Sequence, residues 1–80
     1  MKPSYEQLLA TTDDLLYRVR IYDRELLHCD EILRMDEMHA SLARNRWLAE
    51  NGPMRERAVE TLTRMKYRLV TLLEDLLYTA

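Results

Sequence analysis

The chain has 80 residues, a net charge of −2 and a composition in which 48% of the residues are hydrophobic. A chain of this size forms one domain, residues 1–80, and buries little apolar surface, so it usually needs a disulfide, a metal or a partner. The single cysteine, Cys29, excludes an internal disulfide, and the negative net charge argues against generic binding to DNA or an anionic membrane. With one glycine and two prolines, the composition excludes a β-rich fold and predicts an all-α one.

The compartment is predicted from the N-terminus and the lone thiol. No signal-peptide pattern follows Met1-Lys2-Pro3, and no apolar run is long enough to cross a membrane. A single free cysteine suits a reducing environment. The sequence therefore predicts a soluble, cytoplasmic protein.

The first predicted helix runs from about residue 5 to about residue 50. Ser4 and Gln7 form a capping box at its start, and apolar residues then recur at spacings of three and four, as in a helix of a bundle. Two segments are candidate breaks: residues 11–14, where Thr and Asp favour caps, and residues 34–36, where the apolar register shifts. The apolar register passes through 11–14 without slipping, which favours continuity there.

Asn51-Gly52-Pro53 is the most specific local signal and predicts a turn. Glycine tolerates the left-handed conformation that ends many helices, and proline suits the first position of the next helix. A second helix is predicted over about 54–79, antiparallel to the first, so that the chain forms a helical hairpin. Pairing about the turn brings together Leu62 with Leu42, Met65 with Met38 or His39, Leu69 with Met35, and Leu72 with Ile32 or Leu33.

The two predicted arms are unequal, and the second helix covers only the later part of the first. About 30 Å of the first helix is then left without a neighbour. Its uncovered apolar residues are the predicted self-association stripe: Tyr5, Leu8, Leu9, Leu15, Leu16, Val19 and Tyr22. A soluble monomer rarely exposes such a stripe, so a homodimer that completes a helical bundle is favoured. The alternatives are a first segment that breaks at 11–14 and folds back, and a heterologous partner.

Charge is unevenly distributed and makes the hairpin tip basic. Residues 1–33 carry four basic and seven acidic side chains, whereas residues 44–68 carry seven basic and three acidic ones. The candidate partner-binding residues lie around the turn: Arg44, Arg46, Trp47, Arg55 and Arg57. Arginine and tryptophan are frequent anchors of protein interfaces, and arginine beside an aromatic ring also suits phosphates and bases. A protein partner is favoured, since acidic residues partly neutralise the tip and no DNA-binding motif matches.

The sequence offers little catalytic or metal-binding chemistry. Glu25-x-x-His28 and Asp36-x-x-His39 each pair a carboxylate with an imidazole, but on one helix they lie about 16 Å apart, too far to share one ion. Cys29 continues the apolar stripe and is interpreted as a small buried hydrophobe, not a nucleophile. Pro53-Met54-Arg55-Glu56 resembles the Arg-Glu segment that opens a later helix in helical chorismate mutases, whose polar site residues have no counterpart here. No enzyme activity, metal, cofactor or small-molecule substrate is predicted.

The leading hypothesis is a non-enzymatic, homodimeric helical inhibitor or adaptor that occupies a surface of a larger macromolecular machine. In size, acidity and helical content the chain is similar to bacteriophage-encoded inhibitors of host defence, such as anti-CRISPR proteins, and to small secretion co-chaperones. It shares no motif with either class, so the analogy rests on architecture alone. The alternatives are a nucleic-acid-binding hairpin that uses the basic tip, and a secretion-type co-chaperone.

Overall fold

The structure, a computed structural model, describes residues 4–79, which form four helices and the turns between them. The helices are α1 (Tyr5–Tyr22), α2 (Cys29–Arg44), α3 (Arg46–Asn51) and α4 (Arg55–Thr79). Residues 4–79 contain no β-strand, so the all-α prediction is confirmed. Met1-Lys2-Pro3, used above to predict the compartment, and Ala80 lie outside the described residues.

Helix α1 begins as the sequence predicts. The Gln7 N–H donates to Ser4 Oγ at 3.1 Å, and the Ser4 N–H donates to Gln7 Oε1 at 2.9 Å, which completes the capping box. The helix passes without interruption through residues 11–14. There the buried Thr12 hydroxyl donates to the Leu8 carbonyl at 2.6 Å, so a polar side chain lies in the core with its hydrogen bond satisfied. Continuity through this segment is confirmed.

The prediction of a single long first helix is wrong, because residues 23–28 form a turn between α1 and α2. The buried Asp23 carboxylate accepts the N–H of Leu27 on Oδ1 and the N–H of His28 on Oδ2, both at 2.9 Å. Leu26 has φ 57°, in the left-handed region that side chains other than Gly, Asn and Asp rarely adopt. The turn lies in neither candidate segment. The sequence did not reveal it because it contains no glycine or proline and depends on a carboxylate that accepts hydrogen bonds from residues four and five positions ahead.

The turn folds α1 back onto the rest of the chain. One core cluster joins the start of α1 to the start of α4, and a second joins their later parts, so these two helices run parallel while α2 runs antiparallel to both. The first cluster contains Tyr5, Leu8, Leu9, Ala49, Ala58 and Leu62, and the second contains Leu16, Val19, Ile32, Leu69, Leu72 and Leu76. The result is an up-down-up three-helix bundle in which α3 extends the second arm.

The predicted self-association stripe is mostly interior to the chain. Its buried members are Tyr5, Leu8, Leu9, Leu16 and Val19, while Leu15 is half-buried and Tyr22 is exposed. The expectation that a second chain must cover this stripe is therefore wrong, because α4 covers it. Each fully buried apolar side chain contributes about 1.5–3 kcal/mol, which for five residues exceeds the roughly 1–2 kcal/mol that a left-handed Leu26 costs. The fold-back alternative is correct, with its break at 23–28 instead of 11–14.

Helix α2 is continuous through residues 34–36, so the second candidate break is also wrong. The helical path is interrupted later, at Asn45, whose backbone N–H and side-chain Nδ2 both lie 3.0 Å from the Ser41 carbonyl. An asparagine side chain that bonds to the preceding turn competes with the main-chain ladder. Helix α3 begins at the next residue and carries the chain to the tip.

Helices α2 and α4 are antiparallel, as the hairpin prediction requires. Leu42 packs against the cluster that contains Leu62, and Met35 packs against the cluster that contains Leu69. At the surface, Arg68 donates to the two carboxylate oxygens of Glu31, from Nε at 2.5 Å and from Nη2 at 2.9 Å. The hairpin arms are nevertheless joined mainly through α1, because the α1–α4 contact is the most extensive between any two helices.

Gly52 lies in the predicted turn, but the expectation that it adopts a left-handed conformation is wrong. Its φ of −94° and ψ of 179° are extended backbone. Glycine is required there by a close approach: a Cβ on this residue would lie 2.5 Å from the Leu48 carbonyl oxygen, which accepts the Gly52 N–H at 2.8 Å. The Arg55 N–H donates to the Gly52 carbonyl at 3.2 Å, and α4 begins there, within a residue of the predicted start.

Candidate interaction surface at the tip

The tip of the bundle is built by α3 and the turn that follows it. Ala49 is the one buried residue of α3 and belongs to the core cluster beneath the tip. Asn51 Nδ2 donates to the Trp47 carbonyl at 3.0 Å, and the Gly52 N–H donates to the Leu48 carbonyl, so the end of α3 is held by two hydrogen bonds. A helix of six residues is short, and these contacts compensate for the few bonds within it.

Because Ala49 faces the core, the neighbouring positions of α3 face solvent. Trp47 is 73% exposed, Leu48 is also exposed, and Met54 is exposed on the other side of the turn. Adjacent helical residues point about 100° apart, so the indole and the Leu48 side chain cover different parts of the tip. Three large apolar side chains thus lie at one end of the molecule, and no element within residues 4–79 covers them.

The four predicted arginines of the tip are exposed but not equivalent. Arg46 Nη1 lies 3.0 Å from Glu6 Oε1, an ion pair that joins α3 to the start of α1. Arg44, Arg55 and Arg57 form no ion pair with any residue of the described range 4–79. We call Trp47, Leu48, Met54 and the three unpaired arginines, Arg44, Arg55 and Arg57, the tip surface. The structure brings all five predicted partner-binding residues to this end, with Arg46 committed to an internal contact.

Sequence reasoning missed a groove that begins beside the tip. The groove has a volume of about 650 Å³ and lies between the start of α1 and the first half of α4. Its lining is mixed in charge and includes Tyr5, Leu8, Arg55, Glu56, Val59, Glu60, Thr63, Lys66 and Tyr67. The recurrence of Val59, Thr63 and Lys66 at helical spacing beside the core stripe of α4 is the signal that could have revealed it. The groove extends the tip surface along the bundle from Arg55.

Tyr5 supports the tip from below. Its side chain is almost fully buried, and its hydroxyl donates to the Leu42 carbonyl at 3.3 Å. Burial raises the pKa of the phenol above its usual value of 10.0, and the nearby Glu50 carboxylate raises the pKa further. The phenol therefore remains a neutral hydrogen-bond donor at physiological pH, in a structural position.

The two carboxylate–histidine pairs do not converge. His39 Nε2 lies 2.9 Å from the Leu9 carbonyl, and Asp36 forms an ion pair with Arg20 at 2.7 Å. Within residues 4–79 no three His, Cys, Asp or Glu side chains are grouped as a metal ion would require. Cys29 is exposed, so its interpretation as a buried hydrophobe is wrong. Cys29 is the first residue of α2, directly after the turn at 23–28, and lines a groove at that end of the bundle.

Comparison with protein-family models, with curated proteins and with solved structures finds no match for this chain. Among residues 4–79, no helix has the length and apolar content needed to span a bilayer.

Proposed function

We propose that this protein is a non-enzymatic protein-binding module and that the tip surface is the face that meets its partner. The observation that carries the proposal is Trp47, a 73% exposed indole on a short helix whose end is fixed by hydrogen bonds. Tryptophan and arginine are the side chains most enriched among residues that dominate binding energy. A fixed helix also loses little conformational entropy when the indole is buried by a partner.

The charge of the tip surface indicates the chemistry of the partner. Arg44, Arg55 and Arg57 lack ion-pair partners among the described residues, so their charge is available to an incoming surface. Complementary charge accelerates encounter and fixes orientation, while the apolar side chains supply affinity. The partner is therefore a protein whose contact surface is acidic and contains a pocket that accepts an indole.

The mode of action that suits this architecture is occupation of a surface. The tip surface is carried by a helix end and a turn, and the bundle behind it acts as a support. A module of this kind serves as an inhibitor or adaptor by covering the site that another macromolecule would use. In the reducing cytoplasm proposed for this protein, the exposed Cys29 remains a free thiol.

Site-specific photo-crosslinking tests the proposal. A photoreactive phenylalanine analogue replaces Trp47 in one variant and Tyr17 in a matched control, since Tyr17 is 64% exposed near the far end of α1. Both variants are expressed in the source cell and irradiated. We expect a defined protein adduct from position 47 and none of that mass from position 17. The adduct should disappear when Arg55→Glu and Arg57→Glu are added.

The same experiment distinguishes nucleic acid as the partner. An adduct that is sensitive to nuclease, together with binding to a mixed-sequence oligonucleotide that weakens steeply with salt, would replace the protein-binding proposal by the nucleic-acid one. Equal adducts from positions 47 and 17, or adducts that persist after the two charge reversals, would show that the tip surface is not the binding face.

A further inference from the structure

The opposite end of the bundle carries a second exposed apolar surface, around the turn at residues 23–28. Leu26 is 67% exposed, Leu27 is 66% exposed, and Leu33 on α2 is also exposed. Leu26 holds its side chain in solvent from a left-handed backbone, a conformation that is unfavourable for leucine. A strained residue that gains no burial within its own chain suggests a role outside it.

The surface combines a groove and a projecting side chain. A shallow groove of about 350 Å³ is lined by Leu26, Cys29, Ile32 and Leu33, together with the polar Arg20 and Asp23. Leu27 does not line the groove but lies beside it in the turn. The Asp23 carboxylate fixes the backbone N–H of Leu27, so the projecting leucine is held in place relative to the groove.

We propose that this surface binds a second copy of the chain in a two-fold symmetric dimer, in which Leu27 of each copy enters the groove of the other. A two-fold interface uses the same patch on both copies, so the patch must contain both a projection and a cavity. The turn surface meets this condition. This dimer uses a different surface from the stripe within residues 5–22 that the sequence suggested.

The charges around the turn select a second copy as the occupant. Arg24, Arg34, Glu25 and Asp30 are exposed and form no ion pair with other described residues. The two positive and two negative charges cancel, so two copies of the patch can approach each other without a net like-charge repulsion. The tip differs, because its three unpaired arginines outnumber the nearby Glu50 and Glu56, so two copies of it would repel each other.

Only three exposed leucines supply the apolar part of this surface, so the stability of the dimer is expected to be modest. Patches below the usual 1,200–2,000 Å² of total buried area form weak complexes, so we expect a dissociation constant of about 10–200 µM. The dimer would leave both tip surfaces free at its far ends. Two tips on one particle would strengthen binding to a partner that presents repeated sites.

Sedimentation equilibrium of the full chain from about 10 to 500 µM tests the proposal. The average mass of the wild type should rise from 9.6 kDa toward twice that value as concentration increases. Leu27→Asp should remain monomeric at every concentration, whereas the control Tyr17→Asp should associate like the wild type. Far-ultraviolet circular dichroism should show equal helicity for all three. A monomeric wild type at 500 µM, or association of Leu27→Asp equal to the wild type, would overturn the proposal.

A charge-reversal pair gives a second, independent test. Arg24→Glu with Arg34→Glu makes the patch acidic, and Glu25→Arg with Asp30→Arg makes it basic. Each doubly substituted chain should associate at least about tenfold more weakly with itself than the wild type does, and an equimolar mixture should recover association as a heterodimer. No recovery in the mixture would contradict the self-complementary arrangement. Trp47→Ala should leave dimerisation unchanged, so failure of the dimer and failure of the tip proposal are distinguishable.

Discussion

The two turns of this protein reverse the chain by different means. The turn at 51–53 uses Gly52, where a Cβ would lie 2.5 Å from the Leu48 carbonyl oxygen. The turn at 23–28 contains neither glycine nor proline. It is held by the buried Asp23 carboxylate and by a leucine in a left-handed conformation.

The difference shows which kind of turn a sequence reveals. Glycine followed by proline marks a turn by composition, wherever it occurs. A carboxylate that accepts hydrogen bonds from the N–H groups of residues four and five positions ahead gives no comparable signal, because these hydrogen bonds exist only in the folded turn. The sequence Asp23-Arg24-Glu25-Leu26-Leu27 is equally compatible with a helix, and α1 and α2 flank it with helical patterning on both sides. Substitutions at four positions test this contrast.

The largest effect is expected at Asp23. Asp23→Ala removes both hydrogen bonds to the turn. Bonds to a charged group are worth roughly 1.5–3 kcal/mol each, but water offsets part of the loss at this part-buried site, so the free energy of unfolding should fall by about 2–4 kcal/mol. Asp23→Asn keeps one acceptor oxygen and should lose less. Chemical denaturation measures both, with Asp13→Ala, an exposed α1 carboxylate outside the ion pairs described, as the control. A loss for Asp23→Ala no larger than the control's would mean that the carboxylate does not hold the turn.

Gly52 should give the next largest effect. Gly52→Ala and Gly52→Asn should each lose about 1–3 kcal/mol, since any Cβ approaches the Leu48 carbonyl oxygen. Thermal and urea unfolding measure the loss. In a left-handed conformation Asn is tolerated much better than Ala. Asparagine that restores most of the stability lost by alanine would therefore contradict the extended conformation of this turn.

Leu26→Gly should stabilise the protein by about 0.5–1 kcal/mol. The substitution removes roughly 1–2 kcal/mol of left-handed strain and adds less than 1 kcal/mol of chain entropy to the unfolded state. Leu27→Gly is the control, since Leu26 is the only non-glycine residue in the described range 4–79 with positive φ. Differential scanning calorimetry should give a higher Tm for the first variant alone. A lower Tm for Leu26→Gly would show that the leucine side chain stabilises the monomer.

The smallest effect is expected at Glu31, which joins α2 to α4 through its ion pair with Arg68. The two hydrogen bonds from Arg68, together with its positive charge, lower the pKa of the Glu31 carboxyl below its ordinary value of 4.5. A carboxyl whose pKa is lower in the folded state stabilises that state fully above pH 4.5, and the contribution is lost as the pH falls through the folded value.

Both side chains of this ion pair are partly exposed, so its contribution is modest. Glu31→Gln should lose about 0.2–1 kcal/mol at pH 7 and nothing at a pH below the folded pKa. The exposed Glu37, on the same helix and outside the ion pairs described, provides the control Glu37→Gln. A difference between wild type and Glu31→Gln that does not shrink on acidification would contradict the role of the ion pair.

The composition and periodicity of the sequence determined the helices themselves. The capping box at Ser4 and Gln7, the apolar stripe of α4, the turn at 51–53 and the basic tip were all predicted, because each depends on residues close together in the chain. The candidate residues at the tip were predicted for the same reason. The sequence did not show that Arg46 forms an ion pair while its neighbours do not, because its partner, Glu6, lies forty residues earlier in the chain.

Only the tertiary structure decided where the first helix ends and what covers it. An apolar stripe indicates that a helix face is buried, but it does not indicate what covers that face. The stripe from Tyr5 to Val19 is equally compatible with a second chain and with α4. The folded-back chain is favoured over a dimer because it covers the stripe within one chain and avoids the loss of translational freedom that association requires. The same fold-back exposes the leucines at 26 and 27, so the predicted dimer surface became core and a new surface formed at the turn.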